Sequence, residues 1–162
     1  MRSGKIEKIW NILGSVPDPE IPVINIVEMG VVRDVLFHGS KLEIKLTPTY
    51  SGCPAMDMIH QLVEEKLHSK GYNSVEVTLV YKPAWTTDWM SDETKQKLAR
   101  FGIAPPVGKV TSKKALLSKE NVSCPQCGSI NTEMKSMFGS TACKALYICK
   151  QCLEPFDYFK CI

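Results

Sequence analysis

The sequence predicts a two-layer α+β domain followed by a small metal-stapled module, and three observations carry that prediction. Up to Val80 the apolar periodicities run helix, strand, strand, helix, strand, the order of a domain with helices on one face of a small sheet. Six of the seven cysteines fall between Cys124 and the end of the chain, and four of these form two Cys-x-x-Cys pairs. A length of 162 residues fits a domain of about 100 residues plus a piece too short to fold on apolar burial alone. The bounds read from composition are 1–106 for the α+β domain, 107–120 for a linker and 121–162 for the cysteine module.

The first helix covers residues 3–13. Ile6, Ile9, Trp10 and Leu13 recur at i, i+3, i+4 and i+7, Ser3 suits the start, and Gly14 suits the end. In Val16-Pro-Asp-Pro-Glu-Ile-Pro22 the three prolines lack amide donors and fix φ, so this stretch is an extended loop that excludes helix and ladder pairing. Val31 to His38 is a strand, His38-Gly-Ser40 a turn, and Lys41 to Leu46 a second strand. In the second strand Leu42, Ile44 and Leu46 face one side and Lys41, Glu43 and Lys45 the other, which makes an antiparallel hairpin.

Thr47-Pro-Thr-Tyr-Ser-Gly-Cys-Pro54 is a second stiff loop. Pro54 opens the next helix, whose stripe is Met56, Ile59, Val63 and Leu67 and whose end is Gly71. Val75 to Val80 is the third strand. An aromatic loop with Trp85 and Trp89 follows, then a short helix capped at Ser91-Asp-Glu and stopped near Gly102. The two tryptophans, four apart, suit packing against the sheet better than a cover over a site. Pro105-Pro106 and a lysine-rich stretch mark the linker.

Charge excludes several functions. Residues 1–81 carry 8 basic and 10 acidic side chains, 105–120 carry 4 and 1, and 121–162 carry 4 and 3. The net +3 therefore sits in the linker and makes no phosphate-binding face, so nucleic acid is not expected as a partner. The longest uncharged run, Asn121 to Thr132, is short and polar, so no membrane span is expected. Paired thiols without a secretory signal point to a reducing cytoplasm and to metal rather than disulfides. Phosphate-loop, dinucleotide and nucleophile-elbow motifs are absent. His38, His60 and His68 have no metal spacing, and His60 reads as a boundary residue of its helix.

The pairs Cys124-Pro-Gln-Cys127 and Cys149-Lys-Gln-Cys152 are separated by residues 128–148. A two-residue gap lets both thiolates of a pair enter one tight turn, and two such turns complete a tetrahedral shell. Gly128 supplies the positive φ that such a knuckle needs. The Cys-Pro-x-Cys-Gly form and the lack of a compact Cys-x₂-Cys-x₂-Cys run favour structural zinc over an iron–sulfur cluster, although four thiolates serve either. Cys143 and Cys161 exceed what one site needs. They read as thiols packed on the ribbon, as a swapped ligand pair, or as thiolates for something other than zinc.

Cys53 is the functional candidate in the first domain. It falls at a helix N-cap, where free N–H groups and the helix dipole favour the thiolate; the alternative is a buried apolar cysteine. Asp18 and Glu20 sit on the proline-locked loop, aimed at a neighbouring site or serving as a turn aspartate and a solvated glutamate.

Taken together, Asp18-Pro-Glu-Ile-Pro22, Met29-Gly-Val-Val-Arg33 and Thr47 to Pro54 resemble the domain of SufT-type iron–sulfur assembly factors. Phe138-Gly-Ser-Thr-Ala-Cys-Lys144 and Glu154-Pro-Phe-Asp-Tyr-Phe-Lys-Cys161 narrow the resemblance to the PaaD family, encoded with the ring-1,2-phenylacetyl-CoA epoxidase of bacterial phenylacetate degradation. Met29 stands where that pattern leads one to expect leucine, a volume-conserving change. The resemblance implies a zinc ribbon after the α+β domain. It implies an accessory component of a phenylacetyl-CoA monooxygenase system that assembles or repairs an iron or iron–sulfur centre without itself being catalytic. By motif it makes Cys53, Thr49, Asp18 and Glu20 the functional set, with Cys53 a transient ligand to iron or a cluster.

One thiolate cannot retain a cluster alone, so the expected partners are the oxygenase or reductase subunits sharing the site, or a homodimer that pairs two Cys53. The competing reading is an enzyme using Cys53 as nucleophile on a thioester, which needs a base beside the thiol.

Overall fold

The structure is a computed structural model and describes residues 4–107 and 122–160. The chain divides into two compact units, residues 1–85 and 86–162.

The first unit has α1 (Gly4–Leu13), β1 (Val32–His38), β2 (Lys41–Leu46), α2 (Ala55–Ser69) and β3 (Val75–Leu79). β1 and β2 form the antiparallel hairpin, and β3 joins β2 in parallel after the α2 crossover, giving the order β1-β2-β3. A parallel neighbour requires such a crossover, and it places α2 over the sheet. α1 packs on β1 and α2, and α2 on β3. The expected stripes form the core: Ile9 and Leu13 from α1, Leu42, Ile44 and Leu46 from β2, and Met56, Ile59, Val63 and Leu67 from α2 are all buried. Each fully buried aliphatic side chain is worth about 1.5–3 kcal/mol of transfer free energy. Ile6 and Trp10 are only half-buried at the edge of this layer. The polar side of β2 pairs with its neighbours: Glu43 meets His38 Nε2 at 2.9 Å and accepts from Thr78 Oγ1 at 3.2 Å.

The proline loop differs from expectation at one point. Pro17 and Asn25 form an isolated antiparallel bridge. The bonds flanking it run from the Asp18 N–H to the Ile24 carbonyl at 2.9 Å and from the Ile26 N–H to the Val16 carbonyl at 3.1 Å. Pro17 thus occupies a non-hydrogen-bonded pair position, where its missing donor is not needed. Trp85 is buried, and its Nε1 donates to the Met29 carbonyl at 3.0 Å, so it packs the first unit instead of covering a site.

The second unit begins with a 3₁₀ turn (Thr87–Trp89) and α3 (Asp92–Arg100). Ser91 caps α3, its Oγ accepting from the Thr94 N–H at 3.1 Å. Then come β4 (Ile103–Ala104), β5 (Thr132–Ser136), β6 (Lys144–Cys149) and β7 (Pro155–Phe159), in the sheet order β4-β7-β6-β5. Its core is Ala104, Val122, Cys124, Ala145, Cys149, Phe156 and Tyr158. Tyr147 stacks on Phe156 at 5.8 Å and meets Tyr158 edge-on at 5.5 Å.

The compact units therefore part at Trp85/Thr86, whereas composition places the first boundary at 106. The physical reason is that Ile103 and Ala104 pair in parallel with Asp157 and Tyr158, so the segment ahead of Pro105-Pro106 belongs to the ribbon's sheet. Ser3, nearly all of the expected linker and Cys161 lie outside the described residues. Among the described residues no helix is long and apolar enough to cross a membrane.

Candidate functional site

Two places in the chain gather the residues singled out by sequence, one in each unit.

In the second unit Cys124, Cys127, Cys149 and Cys152 converge, with all four Sγ atoms within 4.8 Å of one another. Each pair sits in a knuckle built by backbone bonds. The Gly128 N–H donates to the Cys124 carbonyl at 2.8 Å, and the Leu153 N–H to the Cys149 carbonyl at 3.0 Å. The residue after each pair is left-handed, Gly128 at φ 74° and Leu153 at φ 64°. Sulfurs of opposite knuckles approach to 3.7 Å (Cys124 to Cys152) and 3.5 Å (Cys127 to Cys149).

A zinc ion bonded to sulfur at about 2.3 Å in a tetrahedron sets sulfurs about 3.8 Å apart, so the spacing fits one ion. A four-iron cluster would hold its thiolates around a cube several ångströms wide and does not fit. The N–H groups of Gln151 and Cys152 point at Cys149 Sγ from 3.4 and 3.5 Å, as outer donors to a ligating thiolate do.

Four adjacent thiols cannot share negative charge equally. The Cys152 N–H above all, opposed by desolvation and aided by the Gln151 N–H and the Cys127 and Cys152 side chains, pulls Cys149 down to about 6. The Glu154 N–H favours the Cys152 thiolate, but desolvation and the Cys149, Cys127 and Cys124 sulfurs push that thiol up to about 12. A divalent cation removes the conflict, since it stabilises all four thiolates at once.

Cys143 is not part of this cluster. It is buried, with Sγ 3.0 Å from Thr141 Oγ1, so its reading as an alternate ligand is not supported. The loop that carries it folds back on β6 and β7. Gly139 N–H donates to the Lys144 carbonyl at 2.7 Å, and Ser140 Oγ to Asp157 Oδ2 at 3.0 Å. Lys144, a buried lysine, is paired through Nζ with Asp157 Oδ2 at 3.4 Å. A Cβ on Gly139 would lie 2.6 Å from Asp157 Oδ1, so any larger residue there would have to displace that carboxylate. The string 138–144 is conspicuous in the sequence, but this network is not, because Lys144 and Asp157 belong to different strands.

In the first unit Cys53 lies on the loop between β2 and α2. The N-cap of α2 is Pro54, so Cys53 stands one residue earlier than expected. The Ala55 backbone and the Tyr50 side chain favour its thiolate, and the Glu20 and Asp18 carboxylates oppose it. The expectation of a thiolate is overturned: burial is the largest influence and pushes the thiol up, the Glu20 and Asp18 carboxylates push it further, and the Ala55 and Tyr50 donors only partly offset them.

Asp18 is buried and holds its own loop, with Oδ1 accepting from the Glu20 N–H at 2.9 Å and the Ile21 N–H at 2.8 Å. That is the turn-aspartate geometry, combined with a carboxylate near the thiol. Thr49 is half-buried on the Cys53 loop. Cys53, Asp18 and Glu20 do not converge as a ligand cluster; among the described residues only the ribbon thiols do. A neutral thiol flanked by carboxylates makes a poor nucleophile, so the thioester-enzyme reading is not favoured. His38 and His60 are engaged by Glu43 and Glu64 on their own or neighbouring elements.

Comparison with known proteins follows the same division. The family described as PaaD zinc beta ribbon domain matches residues 108–160, and the family described as iron-sulfur cluster assembly protein matches residues 6–79. A protein of Escherichia coli (strain K12), provisionally named as one subunit of a 1,2-phenylacetyl-CoA epoxidase, is 49% identical over 158 residues, 98% of this chain and 94% of its own. An Fe-S protein maturation auxiliary factor of Porphyromonas gingivalis is 36% identical over 94 residues, 57% of this chain and 89% of that protein. A solved domain of unknown function from Bacillus anthracis superposes with a TM-score of 0.53 at 32% identity, over 57% of this chain and 90% of that one.

Proposed function

The chain belongs to the PaaD family, and on that premise we propose that it serves a phenylacetyl-CoA epoxidase system in the cytoplasm by assembling or repairing an iron or iron–sulfur centre of its oxygenase or reductase subunits. The observation that carries the reading is the union, in one chain, of an assembly-type domain over 6–79 and a ribbon over 108–160. The ribbon's Cys124, Cys127, Cys149 and Cys152 hold a structural zinc that stabilises the second unit. The spacing of their sulfurs, which suits a single tetrahedral ion, supports that choice.

Cys53 is the thiol that meets the cargo. Half-buried and held in its neutral form, it is protected from passing electrophiles. The negative field of Glu20 and Asp18 draws a cation toward the sulfur, and iron arriving there displaces the thiol proton. Thr49 shapes the same loop. One sulfur without converging carboxylates gives a weak, transient hold, which suits transfer. The remaining ligands come from the client subunit or from a second Cys53 in a dimer.

The test is a deletion strain complemented with the native chain or with Cys53→Ala. Epoxidase subunits purified from the Cys53→Ala strain are expected to be iron-poor and slow, like those from the deletion strain. Native iron content with Cys53→Ala would remove the basis for this role.

A further inference from the structure

The strand β5 is an edge of the ribbon's sheet: β6 lies on one side of it and, among the described residues, no strand on the other. The backbone groups on such an open side are a template for another strand. The stretch around β5 also exposes large apolar side chains. Ile130 is 64%, Met134 48% and Phe138 66% exposed, with Ile130 and Phe138 equally far before and after Met134. Read outward from Met134, the segment is symmetrical in its chemistry: Glu133 is matched by Lys135, Thr132 by Ser136 and Ile130 by Phe138. An antiparallel pair with a two-fold axis at Met134 therefore sets acid opposite base, hydroxyl opposite hydroxyl and apolar opposite apolar.

We propose that β5 is a self-docking edge: two copies of the chain pair antiparallel through it about Met134, with Glu133 of each copy opposite Lys135 of the other. Opposite charges facing each other across neighbouring strands stabilise the pair, and like charges destabilise it. The two side chains lie on one face, with Lys135 Nζ 3.3 Å from Glu133 Oε1, and both are about half exposed. Glu133 has a second cation in Lys150, whose Nζ is 3.0 Å from Oε2. Lys135 can thus turn to the second copy's carboxylate without leaving its own unbalanced. Lysine on an edge strand ordinarily keeps other strands away. Here it selects among pairings, because a parallel one in register puts Lys135 on Lys135 and Glu133 on Glu133. The bulge between Met134 and Ser136 twists the strand, so the shared ladder is short and centred on Met134. This pairing does not rest on the reading of Cys53.

The test uses the full zinc-loaded chain in sedimentation equilibrium over a micromolar dilution series. The native chain is expected to associate reversibly to a dimer. Lys135→Glu sets carboxylate against carboxylate and Glu133→Lys sets ammonium against ammonium, so each alone is expected to raise the dimer Kd by about tenfold or more. Mixed one to one, the two variants are expected to associate with each other at near-native Kd, because each supplies the charge that the other lacks. A role of either residue confined to its own chain would not be rescued by mixing. If Glu133→Lys does not retain zinc, a benzophenone amino acid at position 134 takes its place and is expected to cross-link to residues 132–136 of the second copy.

A native chain that stays monomeric throughout the series overturns the proposal, including the case in which β5 is taken up by a strand of an epoxidase subunit. So does a dimer that survives Lys135→Glu, a mixture of the two folded variants that stays monomeric, or a cross-link from 134 to any other part of the second copy.

Discussion

Replacing Gly139 with alanine is a one-methyl perturbation whose cost can be worked from the second unit's geometry. The added carbon would lie 2.6 Å from Asp157 Oδ1 and 3.4 Å from the Lys144 carbonyl, so the carboxylate must give way. It is not free to move, because Oδ2 is held by Ser140 Oγ at 3.0 Å and by Lys144 Nζ at 3.4 Å. The lysine side chain is only 6% exposed, so weakening its ion pair leaves a charge short of compensation where water reaches it poorly. Overpacking of this kind costs about 1–3 kcal/mol, and breaking such a buried pair outright about 3–5 kcal/mol.

A partial displacement is therefore expected to cost about 2 kcal/mol, or roughly 8–16 °C in Tm for a unit of this size. The assay is urea unfolding of zinc-loaded protein, read by tyrosine fluorescence from the ribbon core. A second measurement isolates the cause: in an Asp157→Ala background the alanine at 139 should cost less than about 0.5 kcal/mol, since its obstacle is gone. A Gly139→Ala variant as stable as the native chain, or an equal cost in both backgrounds, would refute the reasoning.

Other consequences can be checked separately. Cys149→Ser should abolish stoichiometric zinc, measured by release to a chromogenic chelator, and make the second unit protease-sensitive, because metal binding supplies on the order of 10 kcal/mol in comparable modules; full zinc occupancy would contradict the ligand set. Glu20→Gln removes a negative charge that raises the Cys53 thiol, so the alkylation midpoint should move down and the rate at pH 8 increase; a fall in rate would show that the carboxylate acts otherwise. Cys53→Ala should cost less than about 1.5 kcal/mol by thermal unfolding, since the half-buried thiol fills little core; a larger loss would restore the reading of a packing cysteine. Leu153 is 72% exposed at φ 64°, so Leu153→Asn, which tolerates that conformation, should raise stability by about 0.5 kcal/mol; a clear loss of stability would point to unrecognised packing.

Local signals were legible in the sequence, and long-range ones were not. The stripe of α2 and the alternation of β2 were readable because a residue's face depends only on its position within one element. The four ribbon thiols were readable because ligand spacing is a property of one short turn. β4 went unread: two residues ahead of two prolines carry no periodicity, and their pairing is decided by a strand near the other end of the chain. The state of Cys53 was misjudged for a related reason. Its place near a helix start was visible, but the burial and the Glu20 and Asp18 charges outweigh the local donors, and those two carboxylates come from the distant loop between α1 and β1. Gly139 lies in a conspicuous string, but its role was not legible, since it acts through one contact with Asp157 on a distant strand.

The pairing of β4 with β7 also orders events during synthesis. Ile103 and Ala104 leave the ribosome well ahead of Asp157 and Tyr158, on the strand against which they end up buried. At about 5–20 residues per second, that interval is several seconds. Over the same interval the first two thiols of the ribbon are made well before Cys149 and Cys152, so neither sheet nor tetrahedron can close early. The first unit, whose last strand ends at Leu79, can fold while the rest is still being translated. Metal capture thus waits for Cys149 and Cys152, and a chain interrupted before β7 would keep Cys53 while losing the strand that joins β4 to β6.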